Sequence, residues 1–168
     1  MAETADKTLN VAIAGLGGQG VLKASDILAE AAFRAGYDVK KAEVHGMSQR
    51  GGSVCSDVRF GREVFSPMVP AGEADFLVLL AVDQLAANQG RISENGTLIC
   101  ADQIDENLLP NKRSLNIALL GVLSCSLDID EHFWVEAIRA NLPPDLHEAN
   151  IEAFGLGRSA RDSEKGAG

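Results

Sequence analysis

Apolar positions change period several times along the chain, and each change marks an element. Residues 9–14, LNVAIA, form a short apolar run that breaks on GLGGQG. Val21, Ala24, Leu28, Ala31, Ala32 and Ala35 then recur at steps of three and four, the spacing of an amphipathic helix, and Gly36 stands where such a helix stops. YDVKKAEV reads as a second strand, and strand–helix–strand predicts a parallel, right-handed crossover. SVCSDVRF alternates, with Val54, Val58 and Phe60 on one face and Cys55, Asp57 and Arg59 on the other. Gly61-Arg62 fits a two-residue hairpin turn, with EVFS returning as a partner strand.

SPMVPAGEAD is a connection punctuated by Pro and Gly, and FLVLLAV has the length and branching of a buried strand. A short helix around Gln84–Asn88 leads to a turn at Asn95-Gly96 and a strand TLICA. Leu115 to Leu127 is apolar almost all round, which predicts a helix deep in the core. Asp130 is placed to cap a helix carrying Phe133, Val135, Ala137 and Ile138, ended by Pro143-Pro144. Asp145 is placed to cap another through Phe154. The pattern predicts a three-layer, Rossmann-like α/β domain with a mixed, mainly parallel sheet, a β-hairpin insertion and a helical C-terminal third. Residues 1–8 are expected to be disordered, 9–157 to form one domain and 158–168 to be a frayed polar tail.

Composition narrows the function. The 168 residues carry 15 Lys and Arg against 24 Asp and Glu, a net charge of −9 that repels phosphate backbones, so nucleic acid is not the expected partner. The longest apolar run, Phe76 to Val82, is far short of the roughly 20 residues of a membrane span. MAETADKTLN has neither the basic nor the apolar part of a signal peptide, so the cytoplasm is the expected location. Cys55, Cys100 and Cys125 are isolated, without the spacing of a zinc or cluster site, and are expected to be reduced core thiols.

Two glycine-rich stretches carry the candidate chemistry. GLGGQG follows a strand and opens a helix, with Gly15, Gly17 and Gly20 at the spacing of a dinucleotide fingerprint and Gly18 and Gln19 between them. Free N–H groups at such a helix start favour an anion, although a turn that only packs helix onto strand has the same composition. Glu43 lies near the place of a ribose-binding carboxylate, but a polar loop and an alternating strand follow it. That loop holds His45, Gly46, Met47, Ser48, Gln49, Arg50, Gly51 and Gly52. Taken singly, His45 reads as a hydrogen-bonded structural residue and Met47 as packing. Arg50 is different: a long cation on a backbone free to fold around a carboxylate or phosphate.

GLGGQGV followed by EVHGMSQRGGSV, then SP and EAD before a buried strand, resembles the gamma-type subunits of 2-oxoacid:ferredoxin oxidoreductases. Within them the pattern is most similar to the small (beta) subunit of the indolepyruvate enzymes. The resemblance covers residues 10–126. Between TLICADQID and SLNIALLG such subunits usually carry more chain, enough for a strand and a helix, where here only ENLLPNKR intervenes.

The resemblance implies a division of labour. A large partner subunit would carry thiamine diphosphate with Mg²⁺ and iron–sulfur clusters, convert a 2-oxoacid and coenzyme A to an acyl-CoA and carbon dioxide, and pass electrons to ferredoxin. This chain has no GDG…NN thiamine motif and no CxxCxxC run, so no cofactor is expected on it alone. His45, Met47, Ser48, Gln49, Arg50, Gly51 and Gly52 would face substrate, coenzyme A or the partner, and Gly15, Gly17, Gly18, Gln19 and Gly20 would form an anion-binding turn. No catalytic residue is assigned to the chain, and the assembly expected is a hetero-oligomer. Two other readings stand beside it: an independent NAD-dependent oxidoreductase with Glu43 on the ribose, and a non-catalytic regulatory or assembly module.

Overall fold

The computed structural model describes residues 6–45 and 52–166, with only the backbone described at His45. Five strands, β1 (Leu9–Leu16), β2 (Asp38–His45), β3 (Ser53–Gly61), β4 (Ala74–Leu79) and β5 (Ile92–Cys100), form one mixed sheet in the order β2-β3-β1-β4-β5. β1, β4 and β5 pair in parallel, whereas β3 is antiparallel to both β1 and β2. β2 therefore runs in the same direction as β1, as the crossover predicts, but with β3 between them. Four of the five strands point one way.

The helices are α1 (Val21–Arg34), the short α2 (Leu85–Asn88), α3 (Leu115–Ser124), α4 (Glu131–Asn141) and α5 (His147–Gly166). α1 stops where expected: Gly36 takes the left-handed φ of 97°, its N–H donates to Phe33 O at 3.0 Å, and that of Tyr37 donates to Ala32 O at 3.1 Å. α1 covers β1 to β3 and α3 covers β4 and β5, all on one face, with α4 and α5 packed outside them. Val11, Ile13, Phe60, Val78 and Ile99 meet Ile27, Leu28, Ile117 and Leu120 there. Each such side chain, fully buried, contributes roughly 1.5–3 kcal/mol. The opposite face carries Ala12, Ala14, Leu77, Leu79 and Cys100 under a thinner layer, built from Val69 of the 62–73 connection and Leu85 of α2.

Several expectations change in three dimensions. EVFS does not return as a strand beyond Gly61-Arg62, because β3 already has a neighbour on each edge. The hairpin is instead β2–β3, closed by residues 46–52. Side chains hold the EVFS segment: Val64 N–H donates to Asp38 Oδ2 at 2.8 Å, and Arg59 Nη1 donates to Ser66 O at 2.8 Å. Asn95-Gly96 does not precede a strand but lies inside β5, where the register jumps from Ala74↔Ile92 to Phe76↔Thr97. A Cβ on Gly96 would stand 2.7 Å from Ala74 O.

On α4 the fully buried stripe is Trp134, Ala137 and Ile138, with Phe133 and Val135 only half-buried at its borders. Asp130 is the N-cap of α4, yet its side chain makes no capping bond. Asp145 sits in a 3₁₀ turn, Pro144–Leu146, ahead of α5. α5 also runs well past Phe154: residues 158–166, read from sequence as a frayed tail, are helical. Leu156 and Ala160 pack on the core, and Arg158 Nη1 donates to Ser124 Oγ at 2.9 Å.

α3 and α5 cross with backbone against backbone. A Cβ on Gly157 would stand 1.8 Å from Ala118 O, and one on Gly121 2.1 Å from Phe154 O. Gly157→Ala should therefore cost about 3 kcal/mol in chemical denaturation, since helix backbone cannot yield as a side chain does. Gly155→Ala, which adds its methyl to open space in the same helix, should instead stabilise by about 0.5–1 kcal/mol. Equal effects from the two would refute the close crossing.

Candidate functional site

The carboxyl ends of β1, β2, β4 and β5 lie on one rim of the sheet, where open α/β sheets bind ligands. Three connections meet there: residues 17–20 after β1, 46–52 after β2 and 80–84 after β4. The register Leu16↔Ser53 sets the first beside the second, and Gly17 N–H donates to Gly52 O at 2.9 Å. Ser53 Oγ donates to Gln84 Oε1 at 2.8 Å and ties in the third. That bond joins the described end of the second glycine-rich stretch to the first.

Each residue of the first turn has a distinct task. Gly20, the N-cap of α1, has φ 83°, and its carbonyl accepts from Asn116 Nδ2 at 3.1 Å. A Cβ there would stand 2.4 Å from that amide nitrogen, so glycine is required by both conformation and space. Gly18 has φ 86° but faces open space. Gln19 turns inward: its Oε1 accepts from Leu16 N–H at 2.7 Å and its Nε2 donates to Leu80 O at 3.4 Å. It thereby stoppers the gap between β1 and β4, and a Cβ on Gly15 would stand 2.8 Å from its Oε1.

What remains for a ligand is the first turn of α1. Among the described residues no side chain caps it, and it contains no acidic residue, so its leading N–H groups are available to an anion. Lys23 stands exposed beside them. They border an open pocket of about 440 Å³ whose wall includes Gly17, Gly18, Leu22, Lys23 and Val54. That wall suits a ligand with one anionic group and an apolar body. His45 closes β2 opposite Val54. Its side chain, and Gly46, Met47, Ser48, Gln49, Arg50 and Gly51, lie outside the described residues.

Comparison with known proteins gives this rim a family. Residues 10–110 match the pyruvate ferredoxin/flavodoxin oxidoreductase family. The indolepyruvate oxidoreductase subunit IorB of Thermococcus kodakarensis is 34% identical over 196 aligned positions, which take in 92% of this chain and 96% of that protein. The chain belongs to this family. It is a small subunit of the 2-oxoacid:ferredoxin oxidoreductase type. The solved gamma subunit of a keto/oxoacid ferredoxin oxidoreductase from Geobacter sulfurreducens has the same fold, with a TM-score of 0.78 at 21% identity, covering 94% of this chain and 98% of that one. The 2-oxoglutarate:ferredoxin oxidoreductase of Magnetococcus marinus, solved with 2-oxoglutarate, coenzyme A and succinyl-CoA bound, also scores 0.78 at 20% identity over 94% of this chain. There the matched part is 32% of a longer polypeptide.

In this oxidoreductase subunit Glu43 does not sit where a ribose-binding carboxylate would. β3 separates β2 from β1, so Glu43 is two strand spacings, roughly 10 Å, from β1 and level with Ile13, short of the glycine turn. Its Oε1 accepts from Lys41 Nζ at 2.7 Å. With Gln19 filling the gap between β1 and β4, the geometry argues against the independent NAD reading. Among the described residues no group of three or more His, Cys, Asp or Glu side chains gathers as a metal ion would need, and no helix is long and apolar enough to cross a membrane.

Periodicity did not reveal a buried polar cluster on the thinly covered face. Asp57 is nearly inaccessible, accepts from Val69 N–H at 3.0 Å and pairs with Arg91, whose guanidinium also contacts Cys55 Sγ. The one sequence signal was a carboxylate and a thiol alternating on the same strand face. Burial pushes the Cys55 thiol up from its ordinary value near 9 to about 11, with Arg91 opposing the shift and Asp57 adding to it. At pH 8 the thiolate fraction is then about a hundredfold below that of an ordinary thiol, so iodoacetamide should alkylate Cys55 about a hundredfold more slowly than free cysteine. A rate matching free cysteine would place the thiol in solvent. Asp57→Ala, which strands Arg91 and the Val69 amide, should lower stability by about 3 kcal/mol in urea.

Proposed function

We propose that the chain is the small subunit of an indolepyruvate-type oxidoreductase, acting on aryl pyruvates. A larger cytoplasmic partner would carry thiamine diphosphate, Mg²⁺ and the iron–sulfur clusters. Those groups supply the decarboxylation and the path for two electrons to ferredoxin, with coenzyme A accepting the acyl group. The residues of this chain bind and enclose. The uncapped start of α1 takes an anionic group of coenzyme A or of the 2-oxoacid, the apolar wall around Val54 takes its body, and His45, Ser48, Gln49 and Arg50 supply polar contacts. The Gly17–Gly52 bond carries this reading, because it joins the anion-accepting turn to the loop that bears Arg50. Alignment with IorB along nearly the whole chain supports the choice of substrate class.

The partner would dock on the face without long helices. Val44, Phe65, Met68 and Val82 are exposed large hydrophobics, and Phe65 is 84% accessible. Val44 pairs with Cys55 on that face, Phe65 and Met68 belong to the connection that crosses it, and Val82 follows β4 at its rim. Apolar exposure of this kind marks an association surface.

The test is coenzyme A-dependent oxidation of an aryl pyruvate by the reconstituted complex, with a viologen dye as acceptor. A guanidinium gripping a carboxylate or phosphate in a two-pronged pair is not replaced by a lysine, so Arg50→Lys should fail as Arg50→Ala does. Loss of such a contact costs about 2–4 kcal/mol, roughly 30- to 1000-fold in kcat/KM. Gel filtration must first show an intact complex. Near-normal kinetics for Arg50→Ala would remove Arg50 from the site. Full turnover by the partner without this chain would overturn the reading in favour of an assembly module.

A further inference from the structure

The sheet ends at β5, and among the described residues no strand pairs with its outer edge. From there to α3 the chain makes only three 3₁₀ turns, Ala101–Gln103, Glu106–Leu108 and Lys112–Ser114. The family match ends at residue 110, inside this segment. The 196-position alignment with the Thermococcus subunit takes in 92% of 168 residues here, so about forty of its positions have no residue in this chain. Among the described residues, the segment that follows β5 covers that edge with no strand.

Two features of the fold mark that place as unfinished. Ile104, Leu108 and Leu109 face Leu156 and Ala160 of α5 across an apolar groove of about 200 Å³, and Leu108 is 65% exposed. At the strand edge, Gln103 Nε2 reaches back to Leu98 O at 3.5 Å while its Oε1 is buried with no hydrogen-bond partner. A side-chain amide thus lies over the edge where a neighbouring strand would satisfy the backbone.

We propose that the β5 edge and the Leu108 groove dock an extended apolar segment of the partner subunit. This rests on the small-subunit reading above. The segment adds backbone hydrogen bonds along Thr97–Cys100 and seats an apolar side chain against Leu108. Asp105 is the charged residue in the groove wall, with Asp102 and Glu106 beside it and both exposed, while Lys112 and Arg113 do not line it. A segment flanked by cations fits that rim. A second copy of this chain, itself at −9, is repelled.

The experiment uses the full chain with the co-expressed partner. On complex formation, hydrogen exchange of Thr97–Cys100 and of 104–109 should slow at least tenfold. Leu108→Asp should weaken partner binding at least tenfold and leave the melting of the isolated chain unchanged, because Leu108 faces solvent there. Phe65→Glu, on the other proposed interface, reports on the complex independently. A complex that Phe65→Glu disrupts but in which β5 exchange is unchanged and Leu108→Asp binds normally overturns this inference and leaves the small-subunit reading intact. Self-association of the chain alone that Leu108→Asp abolishes overturns it in favour of a second copy. Failure of any complex to form overturns both.

Discussion

The antiparallel ladder that wedges β3 between β1 and β2 is the constraint on which the rest of the structure depends. β1 and β2 would otherwise lie side by side, and the chain would read as the first half of a dinucleotide-binding sheet. With β3 between them, Ser53 at the start of β3 pairs with Leu16 at the end of β1, and Gly17 bonds to Gly52. The same insertion moves Glu43 a strand further away and leaves β3 no free edge for EVFS. It also buries the middle of β3, so Asp57 must have a partner, and Arg91 supplies it.

The polar groups around the rim divide between holding the backbone and leaving it open. Gln19 and Asn116 use their amides on the turn itself, bonding Leu16, Leu80 and Gly20 and stoppering the gap between β1 and β4. Among the described residues no side chain caps the start of α1, whose first turn holds Lys23 and no acidic residue. An isolated helix end of that kind is unfavourable, and an anion bound across the two loops would relieve it.

Layer thickness is the second organising fact. Four helices of ten or more residues crowd one face of the sheet, close enough at Gly121 and Gly157 that backbone touches backbone. The other face receives one connection and a single turn of helix. Ala12, Ala14, Leu77 and Leu79 are buried there, while Phe65 and Met68 of the connection are exposed. The asymmetry suits a domain that is stable by itself on one side and completed by another polypeptide on the other.

The sequence alone determined the local elements. The three-and-four spacing from Val21, the stop at Gly36 and the apolar run from Leu115 each became what periodicity predicts, because burial of one stripe or of a whole helix leaves a direct mark on residue order. The pair of glycine motifs likewise marked the family. The residues around Arg91 were not legible, since Arg91, Asp57 and Cys55 come together only when β3 and the end of the 89–91 turn meet across the sheet. Nor was strand order: alternation in SVCSDVRF says that a strand has two faces, not which neighbours it takes. Only tertiary structure decided that Glu43 lies away from the glycine turn and that Gln19 faces inward. Polar tails mislead for a related reason, as in α5, where Leu156, Gly157 and Ala160 give the polar stretch a packed side. Side-chain period is a one-dimensional record of burial, whereas pairing, crossing and loop convergence are set by distances between residues far apart in the chain.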